Sequence, residues 1–134
     1  MVRTSDSAEW MIELMAFEAP FLEEKLLEKG VFASQKEYAE AFTEFKRYAA
    51  LGKMSGHSLA MTSKKVDEVW HQFILFTKEY MQFCNQFLGS FLHHSPRLNS
   101  KPVPQVSADR FVVSYHEIFG VIPSLWSVSA SCDG

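Results

Sequence analysis

The feature that most constrains the fold of this chain is a series of apolar stripes at helical spacing, separated by glycine and proline. The clearest stripe follows Ser34-Gln35-Lys36-Glu37, a capping-box pattern in which serine and glutamate satisfy free backbone N–H groups at a helix start. Its apolar members recur every three or four residues: Tyr38, Ala41, Phe42, Phe45 and Ala49. Residues spaced in this way share one face of an α-helix. The stripe therefore predicts an amphipathic helix that ends near Leu51-Gly52.

Comparable stripes occupy most of the chain, and each is bounded by residues typical of helix ends. The boundary residues are Ser5-Asp6-Ser7, Pro20, Gly30, Ser63, Gly89, Ser107 and Gly120. No segment of the sequence shows the sustained alternation between hairpin turns that predicts strands. We therefore predict an all-α fold of about six helices. It forms a single compact domain (1–134), with a motif core (38–96), a proline-containing connection, and a C-terminal helix and tail (107–134).

The stretch from Val66 to Pro96 holds two stripes that meet near Thr77. The first is Val66, Val69, Trp70, Phe73 and Ile74, and the second is Tyr80, Phe83, Cys84 and Phe87. Threonine is a good N-cap, and the second stripe restarts cleanly three residues after Thr77. The pattern favours a helix break at Thr77, with Thr77 as the cap of the second helix.

Composition and charge disfavour several classes of protein. The net charge is −3, and no basic run exceeds the pair Lys64-Lys65, whereas non-specific nucleic-acid binding needs a basic face. No apolar run approaches the roughly 20 residues of a membrane span. Residues 1–9 contain no apolar signal core, which favours a cytoplasmic location. The expected partner is another protein, with neither nucleic acid nor membrane. Two cysteines, Cys84 and Cys132, are too few for a disulfide framework.

Side chains that commonly bind transition metals are concentrated in the same stretch. Imidazole nitrogens and thiolates are the usual ligands of zinc, and the candidates are His71, Cys84, His93 and His94. Asp67 precedes His71 by four residues, so on a helix the two share a face. A carboxylate in that place can fix the tautomer of a ligating imidazole. The sequence thus predicts a site for zinc or another divalent transition metal.

A shared site for His71 and Cys84 depends on the helix break. In one continuous helix the two residues, thirteen positions apart, are separated by roughly 20 Å of rise at about 1.5 Å per residue. They could not bind one metal in that case. If the chain folds back at Thr77 they can approach, and Gly89 allows His93 and His94 to return toward them.

Each candidate also has a purely structural interpretation. Cys84 can be a small core hydrophobe, since it lies within an apolar stripe. His71 can be a half-buried histidine bonded to Asp67, and His93-His94 can interact with a helix C-terminus. His57 and His116 are expected to be solvated. Nucleophilic catalysis is disfavoured, because apolar neighbours raise the pKa of a thiol rather than lowering it.

The quoted residues also resemble a family pattern. The run Val66-Asp67-Glu68-Val69-Trp70-His71, followed by Tyr80, Cys84, Gly89 and His93-His94-Ser95-Pro96, resembles the core motif of the glycine-rich domain-containing family. The resemblance covers roughly residues 38–96. It implies Asp67, Trp70, His71, Cys84 and His94 as defining positions. In the predicted site, Asp67, Trp70 and Tyr80 are expected to support the ligands. The residues up to Gly134 depart from the family pattern, because they contain no glycine-rich or cysteine-rich extension.

Three functions fit these observations. The leading interpretation is a small helical metal-binding protein with an accessory or regulatory role rather than a turnover enzyme. A metal-free protein-interaction module with an aromatic-rich surface is the first alternative, consistent with 14% aromatic residues. A metal-dependent enzyme with an open coordination position is the second.

Overall fold

Six α-helices account for most of the chain in the computed structural model, which describes residues 4–56, 59–94 and 105–126, with the backbone alone for residues 4–6. The helices are α1 (Thr4–Ala16), α2 (Pro20–Glu28), α3 (Gln35–Ser55), α4 (Lys64–Leu75), α5 (Thr77–Phe83) and α6 (Gln105–Phe119). A π-helical turn, Cys84–Leu88, continues α5. No strand occurs among the described residues, so the prediction of an all-α fold with about six helices is confirmed. The predicted proline-containing connection, together with His57 and Cys132, lies outside the described residues.

Serine side chains cap two of the helices as predicted. The Ser34 hydroxyl accepts a hydrogen bond from the Glu37 backbone N–H at 3.2 Å, and the Glu37 carboxylate accepts from the Ala33 N–H at 3.0 Å. In a standard capping box the glutamate would accept from the Ser34 N–H, so the observed donor, Ala33, lies one residue earlier than the pattern predicts. The Ser63 hydroxyl accepts from the Val66 N–H at 3.2 Å and begins α4. These bonds satisfy N–H groups that have no partner inside the helix.

Two predicted helix starts are wrong by a few residues. Helix α1 begins at Thr4 rather than after Ser7, and α6 begins at Gln105 rather than at Ser107. In α6 the Gln105 side-chain amide donates to the Asp109 carboxylate at 2.7 Å, one turn further along. Such a pair stabilises the first turn of the helix. The helix therefore begins before Ser107, the residue with the best capping side chain.

The predicted break between α4 and α5 is confirmed, but its cause differs from the prediction. Helix α4 ends at Leu75, Phe76 has φ −88° and ψ 70°, and Thr77 is the first residue of α5. Thr77 is therefore not the cap, and no side chain caps this helix start. The Phe76 ring packs edge-on against Phe21 of α2, with centroids 4.9 Å apart. Tertiary packing of one aromatic ring accompanies the break, where the sequence suggested a local hydrogen bond.

Helix α3 lies at the centre of the molecule and contacts α1, α2, α4 and α6. Its Phe45 ring is fully buried and lies 5.9 Å from the rings of both Phe73 and Phe83, centroid to centroid. Phe17, which follows α1, packs 5.2 Å from Phe83. Each such side chain stabilises the fold by about 1.5–3 kcal/mol through removal of apolar area from water. Within the described part of the chain, no helix is long and apolar enough to span a membrane.

A buried carboxylate joins α6 and the residues after it to α3. Glu44 accepts hydrogen bonds from the Tyr115 hydroxyl at 2.7 Å, the Trp126 indole N–H at 2.9 Å and the Arg47 guanidinium at 3.0 Å. Burial, together with the hydrogen bond to Glu44, raises the pKa of Tyr115 to about 12, so its phenol keeps its proton and donates. Trp126 is 3% exposed, so the chain after α6 returns to the core.

A buried lysine donates hydrogen bonds to backbone carbonyls at the C-terminal end of α1. The Lys46 ammonium on α3 donates to the backbone carbonyls of Met15 at 2.6 Å and Phe17 at 2.9 Å. These carbonyls lie where helix α1 runs out of internal donors. Burial lowers the pKa of Lys46, and the charge of Glu18 acts in the opposite direction. A cation at a helix C-terminus is also stabilised by the helix dipole.

Replacing Lys46 with methionine is expected to lower the free energy of unfolding by about 1–3 kcal/mol, because it leaves two partly buried carbonyls without this donor while keeping the apolar stem. Urea unfolding followed by circular dichroism measures the loss. Lys36→Met is the matched control, since Lys36 is exposed on the same helix and should change stability by less than about 0.5 kcal/mol. Equal stability of the two variants would show that the Lys46 bonds contribute nothing.

Candidate metal centre

Helix α4 presents Asp67 and His71 one turn apart on its outer edge. The buried face of α4 is anchored in the core by Val69, Trp70 and Phe73, which are at most 4% exposed. That anchoring fixes the rotation of the helix, because the apolar face can point in one direction only. Asp67 lies in the first turn, where the helix dipole favours a negative charge.

The third group of the site comes from the segment that follows α5. The π-helical turn ends at Gly89, whose φ of +77° lets the chain reverse. His94 then reaches α4, and its Nε2 lies 2.6 Å from the Asp67 carboxylate oxygen Oδ1. One ligand atom each from Asp67, His71 and His94 lies within 4.8 Å of the others. We refer to these three residues as the Asp/His/His cluster.

The two imidazoles of the cluster are stacked on each other. Their ring centroids are 4.6 Å apart and their planes differ by 12°, while the Trp70 ring covers His94 with centroids 4.2 Å apart. A metal lies in the plane of each imidazole that binds it, and two nearly parallel, stacked rings direct their nitrogen lone pairs side by side rather than toward one point. One ring must therefore turn before both bind one ion. His71 is exposed, whereas the His94 side chain is 9% exposed, so His71 has the space to turn.

The structure places the four predicted ligands in different surroundings. His71 and His94 belong to the cluster, whereas Cys84 and His93 do not. Cys84 is fully buried; burial raises the pKa of its thiol, and hydrogen-bonding contacts with the Leu92 backbone and the Tyr80 hydroxyl act in the opposite direction. His93 is exposed, and its ring packs 4.7 Å from Phe91.

Asp67 was expected to support His71, and its bonding partner is a different histidine. The four-residue spacing pointed to an Asp67–His71 pair, but the 2.6 Å contact is with His94. The sequence could not show this contact, since the two residues are 27 positions apart. A carboxylate oxygen of Asp67 also lies within 4.8 Å of a ring nitrogen of each histidine. Asp67 is therefore a candidate ligand itself, as well as a support for the histidines.

Behind the cluster, aromatic side chains form a hydrogen-bonded layer. The Trp70 indole N–H donates to the Tyr80 hydroxyl at 2.9 Å, and that hydroxyl donates to the Leu92 carbonyl. Tyr48 packs 5.3 Å from Trp70, a contact that the sequence analysis missed. Burial raises the pKa of Tyr48, and the negative charge of Asp67 raises it further. Trp70 thus touches the cluster directly, and Tyr80 lies one layer behind.

Two imidazoles and one carboxylate are a donor set that suits zinc and other first-row divalent ions. The 2.6 Å separation between His94 and Asp67 is that of a hydrogen bond. Two donor atoms bound to one tetrahedral zinc ion, at about 2.0–2.1 Å each, lie roughly 3.3 Å apart. The pair therefore needs to open by less than about 1 Å, a shift that side-chain rotation can supply.

The fold and the cluster together define a small all-helical protein with an Asp/His/His arrangement on its surface that could hold a divalent metal. The chain belongs to the UCP032817-like family, whose model matches residues 8–108. This match includes all three cluster residues. It corrects the resemblance to the glycine-rich domain-containing family, because the family whose model matches the chain is a different one. No curated protein and no solved structure matches it either.

Proposed function

We propose that this protein binds one divalent transition metal, with zinc as the first candidate, through Asp67, His71 and His94. The observation that carries the proposal is the convergence of three ligand atoms within 4.8 Å from two separate parts of the chain. Two of these residues come from α4 and the third from the segment after α5. Local helix geometry alone brings Asp67 and His71 together, but it does not account for the arrival of His94.

The charge balance of the cluster favours a cation. One carboxylate and two neutral imidazoles give a divalent ion a net charge of +1, with the negative charge supplied at the helix start. The cluster lies at the surface, since the Asp67 side chain is 34% exposed and His71 is exposed. A metal can therefore reach it from solvent without opening the core.

We assign the metal an accessory or regulatory role, because it would connect two segments of the fold. Ligands from α4 and from residues 91–94 would be joined through the ion, which adds a cross-link between segments 27 positions apart. Binding to the folded state alone stabilises that state, by about 2.7 kcal/mol at a free metal concentration 100 times Kd. Such a metal would further stabilise the position of the surface segment that carries His94. Partner binding remains a prediction from the sequence, and a metal-dependent enzyme remains the second alternative.

The test is metal titration of the full chain without a histidine tag, after treatment with a chelator. We expect one zinc ion per chain, and we expect His71→Ala to weaken binding strongly while the fold is unchanged, because His71 is exposed. His116→Ala is the matched control, an exposed histidine on α6 that should leave binding unchanged. Zinc content near zero, or equal binding by the wild type and His71→Ala, would refute the proposal.

A further inference from the structure

The segment that carries His94 is bonded to α5 through a buried hydroxyl, and the Cys84 thiol of the π-helical turn contacts the Leu92 backbone as well. Tyr80 is 1% exposed, and its hydroxyl donates to the backbone carbonyl of Leu92, two residues before His94. The Trp70 indole N–H donates to the same hydroxyl at 2.9 Å. Tyr80 therefore connects α4, α5 and the segment after the π-helical turn through two hydrogen bonds at one oxygen.

Ring contacts strengthen this connection. The Tyr80 ring packs edge-on against Phe91 with centroids 5.3 Å apart, so the segment meets Tyr80 at two successive residues. Trp70 also supports His94, since its indole N–H donates to Tyr80 and its ring packs against the His94 ring with centroids 4.2 Å apart. The position of His94 against Asp67 thus depends on a layer of side chains that does not itself contain a metal ligand.

We infer that Tyr80 is a positioning residue of the metal centre, which holds the Leu92 carbonyl and thereby keeps His94 against Asp67. The expected effect of Tyr80 on metal affinity rests on the proposed function. Its expected effect on the position of His94 rests on the hydrogen bonds alone. Groups that orient metal ligands from outside typically change metal affinity by about 10–100-fold when they are removed. Tyr80 acts through the backbone rather than through a direct bond to the ligand, so the lower end of this range is expected.

The first experiment compares zinc affinity in two tyrosine-to-phenylalanine variants. Tyr80→Phe removes the hydroxyl and keeps the ring, and we expect roughly tenfold weaker zinc binding. Tyr115→Phe is the matched control, because it removes a buried hydroxyl that bonds Glu44, away from the Asp/His/His cluster. It should lower stability and leave zinc affinity unchanged. Equal zinc affinities in Tyr80→Phe and the wild type would overturn the inference.

A second measurement works without metal. In ¹⁵N-histidine NMR spectra of the metal-free protein, we expect the chemical shifts of the His94 imidazole to reflect its hydrogen bond to Asp67, and a His94→Gln variant would identify its signals. We expect Tyr80→Phe to shift these signals toward those of the exposed His116, and Tyr115→Phe to leave them in place. Unshifted His94 signals in Tyr80→Phe would overturn the inference, whether or not zinc binds.

The two proposals fail in different ways. A wild-type chain that binds no zinc, with His94 signals that still move in Tyr80→Phe, refutes the metal function and supports the positioning role. If Tyr80→Phe does not fold, Phe91→Ala replaces it, since Phe91 is 40% exposed and its ring contacts Tyr80. That variant should shift the His94 signals as well, and unchanged signals would again count against the inference.

Discussion

Replacing His94 with alanine is expected to weaken zinc binding by more than about 100-fold. The imidazole is one of three candidate ligands, and its loss should cost more than the 10–100-fold typical of an outer partner. His94 is also the bonding partner of Asp67 at 2.6 Å and the ring on which His71 stacks. Its removal therefore takes away a ligand and the contacts that arrange the other two.

Zinc titration by calorimetry measures this effect, and cobalt, with its visible spectrum, offers an independent signal. The sharpest control is His93→Ala, because His93 is the adjacent residue, is exposed, and packs on Phe91 rather than in the cluster. It should bind zinc as the wild type does. Residue type alone offered both His93 and His94 as ligands, and only the family resemblance singled out His94. Similar losses in both variants would show that the assignment of the third ligand is wrong.

The second large effect concerns stability. Glu44→Ala is expected to lower the free energy of unfolding by about 3 kcal/mol, because it removes the acceptor of buried hydrogen-bond donors. Three donors, from Tyr115, Trp126 and Arg47, converge on this carboxylate. Two of them are buried and would lose their acceptor, and an unpaired buried donor costs about 1–3 kcal/mol.

Urea unfolding monitored by tryptophan fluorescence measures this loss, and Trp126 itself should report the change in its surroundings. Glu40→Ala is the matched control, an exposed glutamate one turn earlier on α3. Its effect should stay below about 0.5 kcal/mol, as for most surface substitutions. If Glu44→Ala is as stable as Glu40→Ala, the network does not anchor α6 as the structure indicates.

The elements of this fold could be predicted from the sequence because each depends on neighbours within a turn or two. The stripe from Tyr38 to Ala49 and the caps at Ser34 and Ser63 are local features, and the structure contains all of them. The break before Thr77 was visible because the apolar stripe restarts there. Its cause was not visible, because Phe76 packs against a ring on α2, 55 positions away.

The site was predictable only in part, for the same physical reason. The region and two of its histidines follow from residue type, but the partner of Asp67 is set by tertiary structure. Local spacing favoured His71, whereas the chain reversal at Gly89 delivers His94. Cys84 was ambiguous in the sequence, and the structure places it within the core. The buried charges of Glu44 and Lys46 could not be foreseen, since their partners lie far along the chain.

The candidate metal ligands and the residues that bond Glu44 from the C-terminal side occupy different parts of the sequence. The family match ends at residue 108, and the Asp/His/His cluster lies entirely before that point. Tyr115 and Trp126, which complete the shell of Glu44, lie entirely after it. A chain truncated at the family boundary would keep every candidate ligand while exposing one face of α3 and stripping a buried carboxylate of two donors. The candidate ligands therefore all lie within a shorter stretch of the chain than the residues that complete the core.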